Sequence, residues 1–568
     1  LEDDQSFPVP LDERRILPVP AARLKAWLLP LLELLDDDRP RLSRYHAAML
    51  AGLDEQPAHW VGGDKLRELG QRLRDFSGIK ECLPAEGFNA TLRPYQQAGL
   101  NWLQFLREYG LAGILADDMG LGKTVQTLAH LHLEKASGRA NLPSLVIGPT
   151  SLLTNWRNEA AEFTPNLTIL TLHGKDRFDR FHEMATVDLI LTTYPLLVRD
   201  RDVLMAQKYH LLVMDEAQFI KNPKAQSHQV ARQLKARHRL SLTGTPLENH
   251  LGELWAQFDF LMPGLLSSAS RFTQVFRTPI EKQGDDEMRQ RLADRVRPFL
   301  LRRTKEEVLT DLPPRTEMIR WVEIEGGQRD IYESLRAVFD TKLRQALATQ
   351  GVGRSQIMIL DALLKLRQVC CDPRLVKLAA AEAVVAKGLA PSAKLTTLME
   401  MLDELLDEGR KVLLFSQFTS MLELIEIELV KRKYKYSKLT GQTKDREAAI
   451  EEFQQGRVPL FLISLKAGGT GLNLTAADTV IHYDPWWNPA VEEQATARAH
   501  RIGQDKPVFV YKLLTQGTVE EKILALQDRK RGLADQLLTA GGAARAAGEG
   551  GGGLTAADLD VLFQPLPG

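Results

Sequence analysis

The sequence is poor in cysteine and contains no long apolar run. Its three cysteines, Cys82, Cys370 and Cys371, form neither a CxxC pair nor a zinc-ligand spacing. We therefore exclude a disulfide scaffold and expect reducing surroundings without a structural metal. The most apolar early stretch, residues 26–35, is interrupted by Pro30 and is much shorter than the ~20 residues that a membrane-spanning helix needs.

An excess of one charge is also lacking. Lys plus Arg number 73 and Asp plus Glu number 74, which leaves a formal net charge of −1. Any contact with nucleic acid must therefore come from local basic stripes. At roughly 150 residues per domain, the 568 residues imply three or four domains. The chain begins at Leu1 without a methionine or a signal pattern, so we expect it to be a fragment of a longer protein.

From residue 91 onward, short apolar runs alternate with helical patterns, which is typical of parallel α/β sheets. The runs form two series, separated by a charge-rich region at 250–395 that reads as mostly helical, so we expect two α/β lobes. Residues 1–90 are predicted to be helical, and the Gly/Ala-rich stretch from Gly541 is predicted to be flexible. The runs are Gly113–Ala116, Ser144–Gly148, Leu189–Thr193, Leu211–Met214 and Leu240–Thr243, then Lys411–Phe415, Pro459–Leu465, Thr479–Tyr483 and Val508–Leu514.

The strongest local motif lies between the first apolar run and a helical pattern. A phosphate-binding loop needs this context, with backbone N–H groups at a helix N-terminus, a Lys for the β- and γ-phosphates and a Thr hydroxyl for Mg²⁺. The match is imperfect because Asp117 replaces the first glycine, and a surface turn remains the alternative. The motif is Asp117-Asp118-Met119-Gly120-Leu121-Gly122-Lys123-Thr124.

Two further motifs follow strands. Asp215 and Glu216 end the run at 211–214, where ligands bind in open α/β sheets. Asp215 would hold Mg²⁺ and Glu216 would polarise the attacking water, whereas the alternative is a solvated strand end. Thr243-Gly244-Thr245 also follows a strand, and its hydroxyls could relay the nucleotide state; alone it would be a plain turn.

Together these motifs resemble the Swi/Snf family of superfamily-2, helicase-like, DNA-dependent ATPases, from about Leu92 to Glu521. The family carries Asp117 in this motif. The resemblance implies that Arg93 and Gln96 of the entry motif bind the nucleotide, with Gln96 at the adenine edge. Two more stretches, 299–305 and 366–373, are typical of this family, and the cysteine pair in the second reads as packing.

The resemblance implies a fold of two RecA-like α/β lobes, each a parallel sheet flanked by helices, with helical insertions and an N-terminal helical module. The expected boundaries are 1–90 for that module, 91–265 for the ATP-binding lobe 1, 266–315 for an insertion and inter-lobe linker, 316–391 for a helical insertion of lobe 2, 392–515 for lobe 2, 516–540 for a brace helix and 541–568 for a flexible tail.

The resemblance also implies DNA-contacting and coupling residues. The expected coupling residues are Gln218, Thr243, Gly244 and Thr245. Gln218 stands where many members have His, which puts in doubt the coupling contact at that position but not hydrolysis. Trp486 and Trp487 could stack on a base, but packing beneath the last motif is the alternative. The DNA-contacting candidates are Pro149, Thr150, Ser151, Trp156, Thr193, Lys466, Gly469 and Thr470.

The final motif, 494–504, fits the family at every diagnostic position. It implies catalytic roles for Gln494, Arg498 and Arg501. The stretch 492–502 reads helical, so the two arginines, three apart, can project from one face and meet the γ-phosphate when the lobes close. In the alternative, an arginine pairs with a carboxylate of its own lobe.

The window 291–305 holds six basic residues and one acidic residue. These could line a duplex cleft and neutralise phosphates, or they could be a solvated face on which Arg302 and Arg303 pair with carboxylates of their own lobe.

The implied function is ATP- and Mg²⁺-dependent translocation along double-stranded DNA by a monomer, without strand separation. A DNA-bound protein or RNA polymerase is a possible partner. The alternatives are a strand-separating helicase, an RNA-polymerase-associated ATPase, and a nucleotide-gated DNA-binding scaffold. No histone-reader segment is visible, which favours a prokaryotic member in the cytoplasm with the nucleoid; a eukaryotic member would be nuclear.

Overall fold

The structure is a computed structural model in which the main boundary between two compact units lies between Arg303 and Thr304. It describes residues 6–10, 16–20, 35–36, 39–40, 78–247, 250–309, 312–376, 391–468, 472–484, 489–526 and 556–566.

The four described segments before residue 41 are short strands, where the sequence predicts helices, and residues 78–90 contain neither helix nor strand. Strand β1, Ser6–Pro10, pairs antiparallel with β2, Ile16–Pro20, and β3, Leu35–Asp36, pairs with β4, Arg39–Pro40. The helical prediction is wrong for these residues, because prolines at positions 8, 10, 18 and 20 lack the N–H that a helix interior requires. The amphipathic stretch 65–76 lies outside the described residues.

The first unit is built on a seven-stranded sheet in the order β11-β5-β10-β9-β6-β8-β7, and every pairing is parallel. All five predicted runs are strands. Two strands of this sheet, β7 and β11, were not predicted, because both are short and partly exposed. The strands are β5 Gly113–Leu115, β6 Ser144–Gly148, β7 Ile169–Thr171, β8 Leu189–Thr193, β9 Lys208–Asp215, β10 Lys235–Leu242 and β11 Leu300–Leu301.

Helices cover this sheet, and Trp102, Leu128 and Trp156 pack with sheet residues in one apolar core. The α-helices are α1 Pro94–Glu108, α2 Lys123–Ala136, α3 Thr150–Phe163, α4 Tyr194–Arg199, α5 Arg201–Ala206, α6 Gln226–Gln233, α7 Leu251–Leu261, α8 Ala269–Phe272, α9 Thr278–Gln283 and α10 Asp286–Val296. A π-helix spans Thr273–Arg277, and 3₁₀ turns span Asp176–Ala185, Ala217–Ile220 and Arg297–Phe299.

The second unit contains a six-stranded sheet, also parallel throughout, in the order β12-β17-β16-β13-β15-β14. Buried apolar residues form separate clusters, one around Leu414 and Leu462 and another around Phe415 and Phe461. Since side chains alternate along a strand, the two clusters lie on opposite faces of the sheet. The strands are β12 Arg315–Val322, β13 Val412–Ser416, β14 Tyr436–Leu439, β15 Leu460–Ser464, β16 Thr479–His482 and β17 Val508–Thr515.

The 46-residue helix α12 dominates the helical part of this unit. It ends in Cys370 and Cys371, whose thiols are buried, as their predicted packing role requires. Burial raises the pKa of Cys370 to about 12. The helices are α11 Lys305–Val308, α12 Gly326–Cys371, α13 Ala393–Asp407, α14 Thr419–Lys431, α15 Arg446–Gln454, α16 Leu465–Gly468, α17 Pro489–Thr496 and α18 Ala556–Leu562, with a 3₁₀ turn at Pro373–Leu375.

Two segments depart from the predicted boundaries of the second lobe. Strand β12 belongs to its sheet, although 316–391 was predicted to be a helical insertion; β12 is an exposed edge strand and lacks the apolar run that marks a central strand. The tail 541–568 was predicted to be flexible, yet its described part, 556–566, includes α18, whose Leu559 and Leu562 are buried in the α12 core. The sequence shows an apolar segment at 554–563 after the glycine-rich stretch, but it does not show what this segment packs against. No helix among the described residues is long and apolar enough to cross a membrane.

Candidate active site

The phosphate-binding loop lies between β5 and α2, as the motif predicts. Gly120 and Gly122 adopt φ angles of +88° and +78°, which side chains rarely tolerate. Gly122 precedes Lys123, the first residue of α2. The backbone N–H groups at this helix start are free of intrahelical partners, so the loop has the anion-binding geometry of a helix N-terminus.

The loop folds around the Lys123 ammonium group. Its Nζ donates to the carbonyl oxygens of Asp117 at 2.6 Å and Asp118 at 3.3 Å. Burial lowers the pKa of Lys123, and the carboxylates of Glu216 and Asp215 are among the charges that oppose this shift. The lysine therefore shares one electrostatic site with the acidic pair at the end of β9.

The Asp117 side chain holds an arginine. It is buried, and its two oxygens accept from Arg303 Nε at 2.8 Å and Nη2 at 2.5 Å. Gln126 Nε2 donates to the same carboxylate at 3.1 Å. The nucleotide-binding prediction is therefore corrected for this side chain: Asp117 ties the phosphate loop to the last residue before the unit boundary.

Backbone contacts reinforce this tie. Arg303 Nη1 donates to the Tyr95 carbonyl, and the Asp118 N–H donates to the Arg303 carbonyl at 3.0 Å. A Cβ atom at Gly99 would lie 1.9 Å from Gln126 Oε1, so a larger residue here would displace the Gln126 side chain from this network. Gln126 and Gly99 are not among the predicted site residues; the helical spacing of Gln126 from Lys123 was the available signal for the first of them.

Gln96 lies against the loop from the start of α1. Its Oε1 accepts from the Arg93 backbone N–H at 3.0 Å, and its Nε2 donates to the Tyr95 hydroxyl at 3.3 Å. A Cβ at Gly122 would come within 2.6 Å of Gln96 Nε2. The structure thus brings Gln96 to the phosphate loop, whereas the Arg93 side chain is exposed.

Three groups hold Asp215 at the carboxyl end of β9. The indole Nε1 of Trp156 donates to Oδ2 at 2.8 Å, and the Glu216 N–H donates to Oδ1 at 2.9 Å. The Tyr194 hydroxyl donates to the Asp215 carbonyl at 2.7 Å. Trp156 is 1% exposed, so its predicted DNA contact is wrong, and its place in an apolar helix pattern was the available signal.

Glu216 follows in the left-handed region, with φ of 50° and ψ of 56°. This conformation is uncommon for a residue other than glycine and is often found at functional sites. Burial and the neighbouring Glu216 charge raise the pKa of Asp215 to about 6. Two adjacent buried carboxylates with one lysine form a site that an additional cation would stabilise.

A hydrogen-bond chain connects this pair to the turn after β10. Gln218 Nε2 donates to Glu216 Oε2 at 2.8 Å, and Gln218 Oε1 accepts from the Thr243 hydroxyl at 3.1 Å. The Thr243 hydroxyl in turn accepts from the Thr245 N–H at 3.1 Å, across Gly244. Gln218 thus connects Glu216 to Thr243 by hydrogen bonds, and its coupling role stays a prediction.

The residues present fit Mg²⁺ bound with a nucleotide. Magnesium ions prefer oxygen ligands and are usually held by one or two protein groups together with phosphates. Asp215 supplies a carboxylate and Thr124, the second residue of α2, supplies a hydroxyl. Among the described residues, no cluster of three or more His, Cys, Asp or Glu could hold a metal by itself.

The final motif lies in the second unit and is only partly helical. Helix α17 ends at Thr496, so Arg498 and Arg501 do not share the predicted helix face. Beyond Thr496 the chain continues in turns, and two of its carbonyls accept from groups outside the motif. The Arg498 carbonyl accepts from the Leu474 N–H at 3.0 Å, and that of His500 accepts from Lys305 Nζ.

The side chains of this motif are mostly enclosed. Gln494 and Arg498 are 8% and 6% exposed. Arg501 Nη1 donates to the Leu472 carbonyl at 3.5 Å. The structure places these three residues in one unit, and the Lys123, Asp215 and Glu216 site in the other.

The DNA-contacting candidates fall into exposed and buried groups. Thr150, at the N-terminus of α3, and Lys466, after β15, are exposed, whereas Pro149 is half-buried. Thr193 is 2% exposed, so a DNA contact by its side chain is not supported. Gly469 and Thr470 lie outside the described residues, as do Trp486 and Trp487, and the Ser151 side chain is not described.

Three of the six basic residues of the window form ion pairs inside the first unit. Arg291 pairs with Glu287 at 2.7 Å, Arg297 with Asp294 at 3.4 Å and Arg303 with Asp117. For these arginines the structure supports pairing with carboxylates of their own lobe.

Two family models match this sequence, one after the other along the chain. The sequence matches the family model of the SNF2-related domain over residues 95–375 and that of the helicase conserved C-terminal domain over residues 393–503. It is 41% identical to YwqA of Bacillus subtilis (strain 168), whose name describes an ATP-dependent helicase/translocase. That alignment spans 487 residues, 84% of this chain and 52% of YwqA.

Two further similarities come from other domains of life. The human SWI/SNF-related matrix-associated actin-dependent regulator of chromatin subfamily A member 1 is 39% identical over 86% of this chain and 48% of its own length. A solved Sulfolobus solfataricus SWI2/SNF2 ATPase core in complex with dsDNA is 38% identical, covering 81% of this chain and 95% of that chain, with a TM-score of 0.42. The chain spans about half the length of the curated relatives it matches.

Proposed function

The chain belongs to the SNF2 family of helicase-like, DNA-dependent ATPases, and from this premise we propose that it is an ATP-driven translocase on double-stranded DNA that remodels protein–DNA complexes without separating the strands. The observation that carries the proposal is the site formed by Lys123, Asp215 and Glu216, with Gln218 linking it to Thr243. A half-buried lysine and two buried carboxylates beside a phosphate loop are the groups that phosphoryl transfer requires.

Each residue has a role in hydrolysis. Lys123 and the backbone N–H groups of residues 120–124 bind the phosphates. Thr124 and Asp215 would hold Mg²⁺, which neutralises charge on the β- and γ-phosphates when it is bound. Glu216 orients and polarises a water whose oxygen attacks the γ-phosphorus. The bond to the β–γ bridging oxygen breaks, which yields ADP and phosphate.

The arginines of the second unit complete the proposed active site. Arg498 and Arg501 would place guanidinium charge on the γ-phosphate in the transition state, and Gln494 of the same motif would contribute to the site. Arginine fingers increase turnover by about 10³–10⁵ in other phosphoryl-transfer enzymes. Duplex DNA would stimulate turnover by favouring the conformation in which this contact forms.

DNA contact is proposed for the exposed ends of both sheets. Thr150 at the N-terminus of α3 and Lys466 after β15 are exposed, and we propose that both contact DNA phosphates. Pro149, Ser151, Gly469 and Thr470 are proposed as DNA contacts from their motifs alone. Such contacts neutralise backbone charge and read no base edges, so binding should depend strongly on salt and only weakly on sequence. The name of YwqA, which includes the word translocase, supports movement along nucleic acid as the use of this contact.

The test measures steady-state ATP hydrolysis with no nucleic acid, single-stranded DNA, duplex DNA and RNA in parallel. We expect duplex DNA to give the largest stimulation, together with displacement of a triplex-forming strand and no unwinding of forked DNA. Unwinding would establish the helicase alternative, and DNA binding without hydrolysis would establish the scaffold. Stimulation by an RNA polymerase complex but not by bare duplex would favour the polymerase-associated ATPase.

A further inference from the structure

One helix of the first unit joins a proposed DNA contact to the proposed Mg²⁺ ligand. Helix α3 begins at Thr150, which is exposed, and its seventh residue is the buried Trp156. At 1.5 Å per residue, the two positions are about 9 Å apart along the helix axis. The indole Nε1 lies 2.8 Å from Asp215 Oδ2. A displacement of this helix would therefore move a group bonded to the catalytic carboxylate.

The bond constrains the carboxylate oxygens. An indole N–H can only donate, and the Glu216 N–H already occupies Oδ1. With one donor on each oxygen, the plane of the Asp215 carboxylate and the direction of its remaining lone pairs are set by the protein. Groups that orient a metal ligand in this way commonly tune metal affinity.

The main chain of Asp215 is held separately. The Tyr194 hydroxyl donates to the Asp215 carbonyl, and the Tyr194 ring stacks on Phe219 at a centroid distance of 5.5 Å. Because Tyr194 fixes the backbone, the Trp156 bond acts on the orientation of the side chain. Its loss should therefore be felt at the carboxylate more than in the strand.

We propose that Trp156 is a positioning residue that orients the Asp215 carboxylate for Mg²⁺ and transmits DNA contact at the start of α3 to that carboxylate. The inference rests on the proposed function and deepens it. It assigns to Trp156 a role in coupling, in place of the direct DNA contact expected from its motif. A bulky buried indole in an apolar core would otherwise serve only packing.

The first unit offers a matched control in Trp102. This indole is 5% exposed, belongs to the same apolar core and donates its Nε1–H to the Pro298 carbonyl at 3.2 Å. Trp102→Phe and Trp156→Phe therefore remove the same atoms from the same core, and each loses one hydrogen bond. Only the second loses a bond to the candidate metal ligand.

The first experiment titrates Mg²⁺ against binding of a fluorescent, non-hydrolysable ATP analogue, with melting temperature measured beside it. Loss of a hydrogen bond to a charged group should raise the Mg²⁺ midpoint of Trp156→Phe by about tenfold. Trp102→Phe should lose a similar amount of melting temperature and keep the wild-type midpoint. Equal midpoints in the two variants would overturn the proposal.

The second experiment measures turnover with and without duplex DNA. Trp156→Phe should lose more of the DNA-stimulated turnover than of the basal turnover, and Thr150→Ala should add little further loss in that background. Independent, additive losses would overturn the coupling part of the proposal. If Trp156→Phe does not fold, benzothienylalanine at position 156 keeps the ring volume and removes only the N–H donor. A wild-type chain without ATPase activity would instead refute the proposed function.

Discussion

The acidic pair of the first unit and a buried ion pair of the second unit differ in how their charges are balanced. In the first, Asp215 and Glu216 lie side by side, and burial together with the Glu216 charge raises the pKa of Asp215 to about 6, although the Lys123 charge opposes this shift. In the second, Lys394 and Glu520 are both buried and form a 2.6 Å ion pair, and Lys394 also donates to the Tyr483 carbonyl.

The difference distinguishes a candidate catalytic pair of carboxylates from a structural ion pair. The Glu520 carboxylate also accepts from the Thr515 N–H and hydroxyl, at 2.9 and 2.7 Å, so its charge is neutralised within the second unit. The acidic pair of the first unit keeps an excess of negative charge beside a phosphate loop. Perturbed carboxylates in this setting mark a functional site, whereas a satisfied ion pair marks a structural one.

The variant with the largest expected effect tests whether a residue of the second unit also takes part in catalysis. Arg501→Ala should lower DNA-stimulated turnover by about 10³-fold or more, because the transition-state charge loses a guanidinium partner. Nucleotide affinity and the melting temperature should change little. Turnover with and without duplex DNA, beside affinity and melting temperature, checks this. Undiminished stimulation would show that Arg501 has no role in catalysis.

Glu216→Gln tests whether Glu216, in the first unit, is the residue that polarises the attacking water. The amide keeps the shape of the side chain but polarises water poorly, so turnover should fall by about 10²–10⁴-fold. Nucleotide binding should persist, because Lys123 and Asp215 remain. The checks are single-turnover hydrolysis and equilibrium binding of ATP. A collapse of affinity together with turnover would show that Glu216 is structural.

Lys394→Met tests the buried ion pair of the second unit and should lower stability rather than turnover. Removing one partner leaves the Glu520 charge buried, which typically costs about 3–5 kcal/mol of unfolding free energy. Urea unfolding measures this loss, and Lys394→Met with Glu520→Gln should recover part of it. Lost turnover at unchanged stability would place Lys394 in the chemistry and break the comparison.

The smallest effect is a pH dependence shared by both units. Burial lowers the pKa of His130 in the first unit and of His482 in the second to about 3. As pH falls below ~6.5, the unfolded chain binds these protons and the folded chain does not, so each histidine costs up to about 1.4 kcal/mol of stability per pH unit.

Urea unfolding at pH 7 and pH 5.5 tests this dependence. Replacing either histidine with Gln should reduce the loss of stability on acidification. Identical pH slopes in the wild type and both variants would show that these imidazoles do not contribute.

The elements that were predicted correctly from the sequence are buried and have a strong hydrophobic pattern. Parallel core strands such as β9 and β13 read as continuous apolar runs, and the phosphate loop is a local motif, so both could be found without long-range information. The edge strand β12 could not, because its exposed residues lack that run. The docking of α18 on α12 depends on partners more than 180 residues away in sequence, as the bond from Arg336 Nη1 to the Phe563 carbonyl shows.

The candidate site was predictable in composition but not in all its contacts. Lys123, Asp215 and Glu216 come together because the parallel strands β5 and β9, separated in the sheet by β10, end at the same sheet edge. The roles of Asp117 and Trp156 were not predictable, because each depends on a partner distant in the chain: Arg303 for the first and Asp215 for the second. A motif residue can face away from the ligand that its motif binds.

The central claim is that this chain hydrolyses ATP at the Lys123 site in response to duplex DNA. The most direct measurement is the steady-state rate of phosphate release by the wild type and Lys123→Ala, each with and without duplex DNA. We predict strong stimulation of the wild type and, because the γ-phosphate loses its ammonium partner, a loss of about 10²–10³-fold or more in the variant at unchanged melting temperature. Near-wild-type turnover in Lys123→Ala, or a wild-type rate that ignores duplex DNA, would contradict the account.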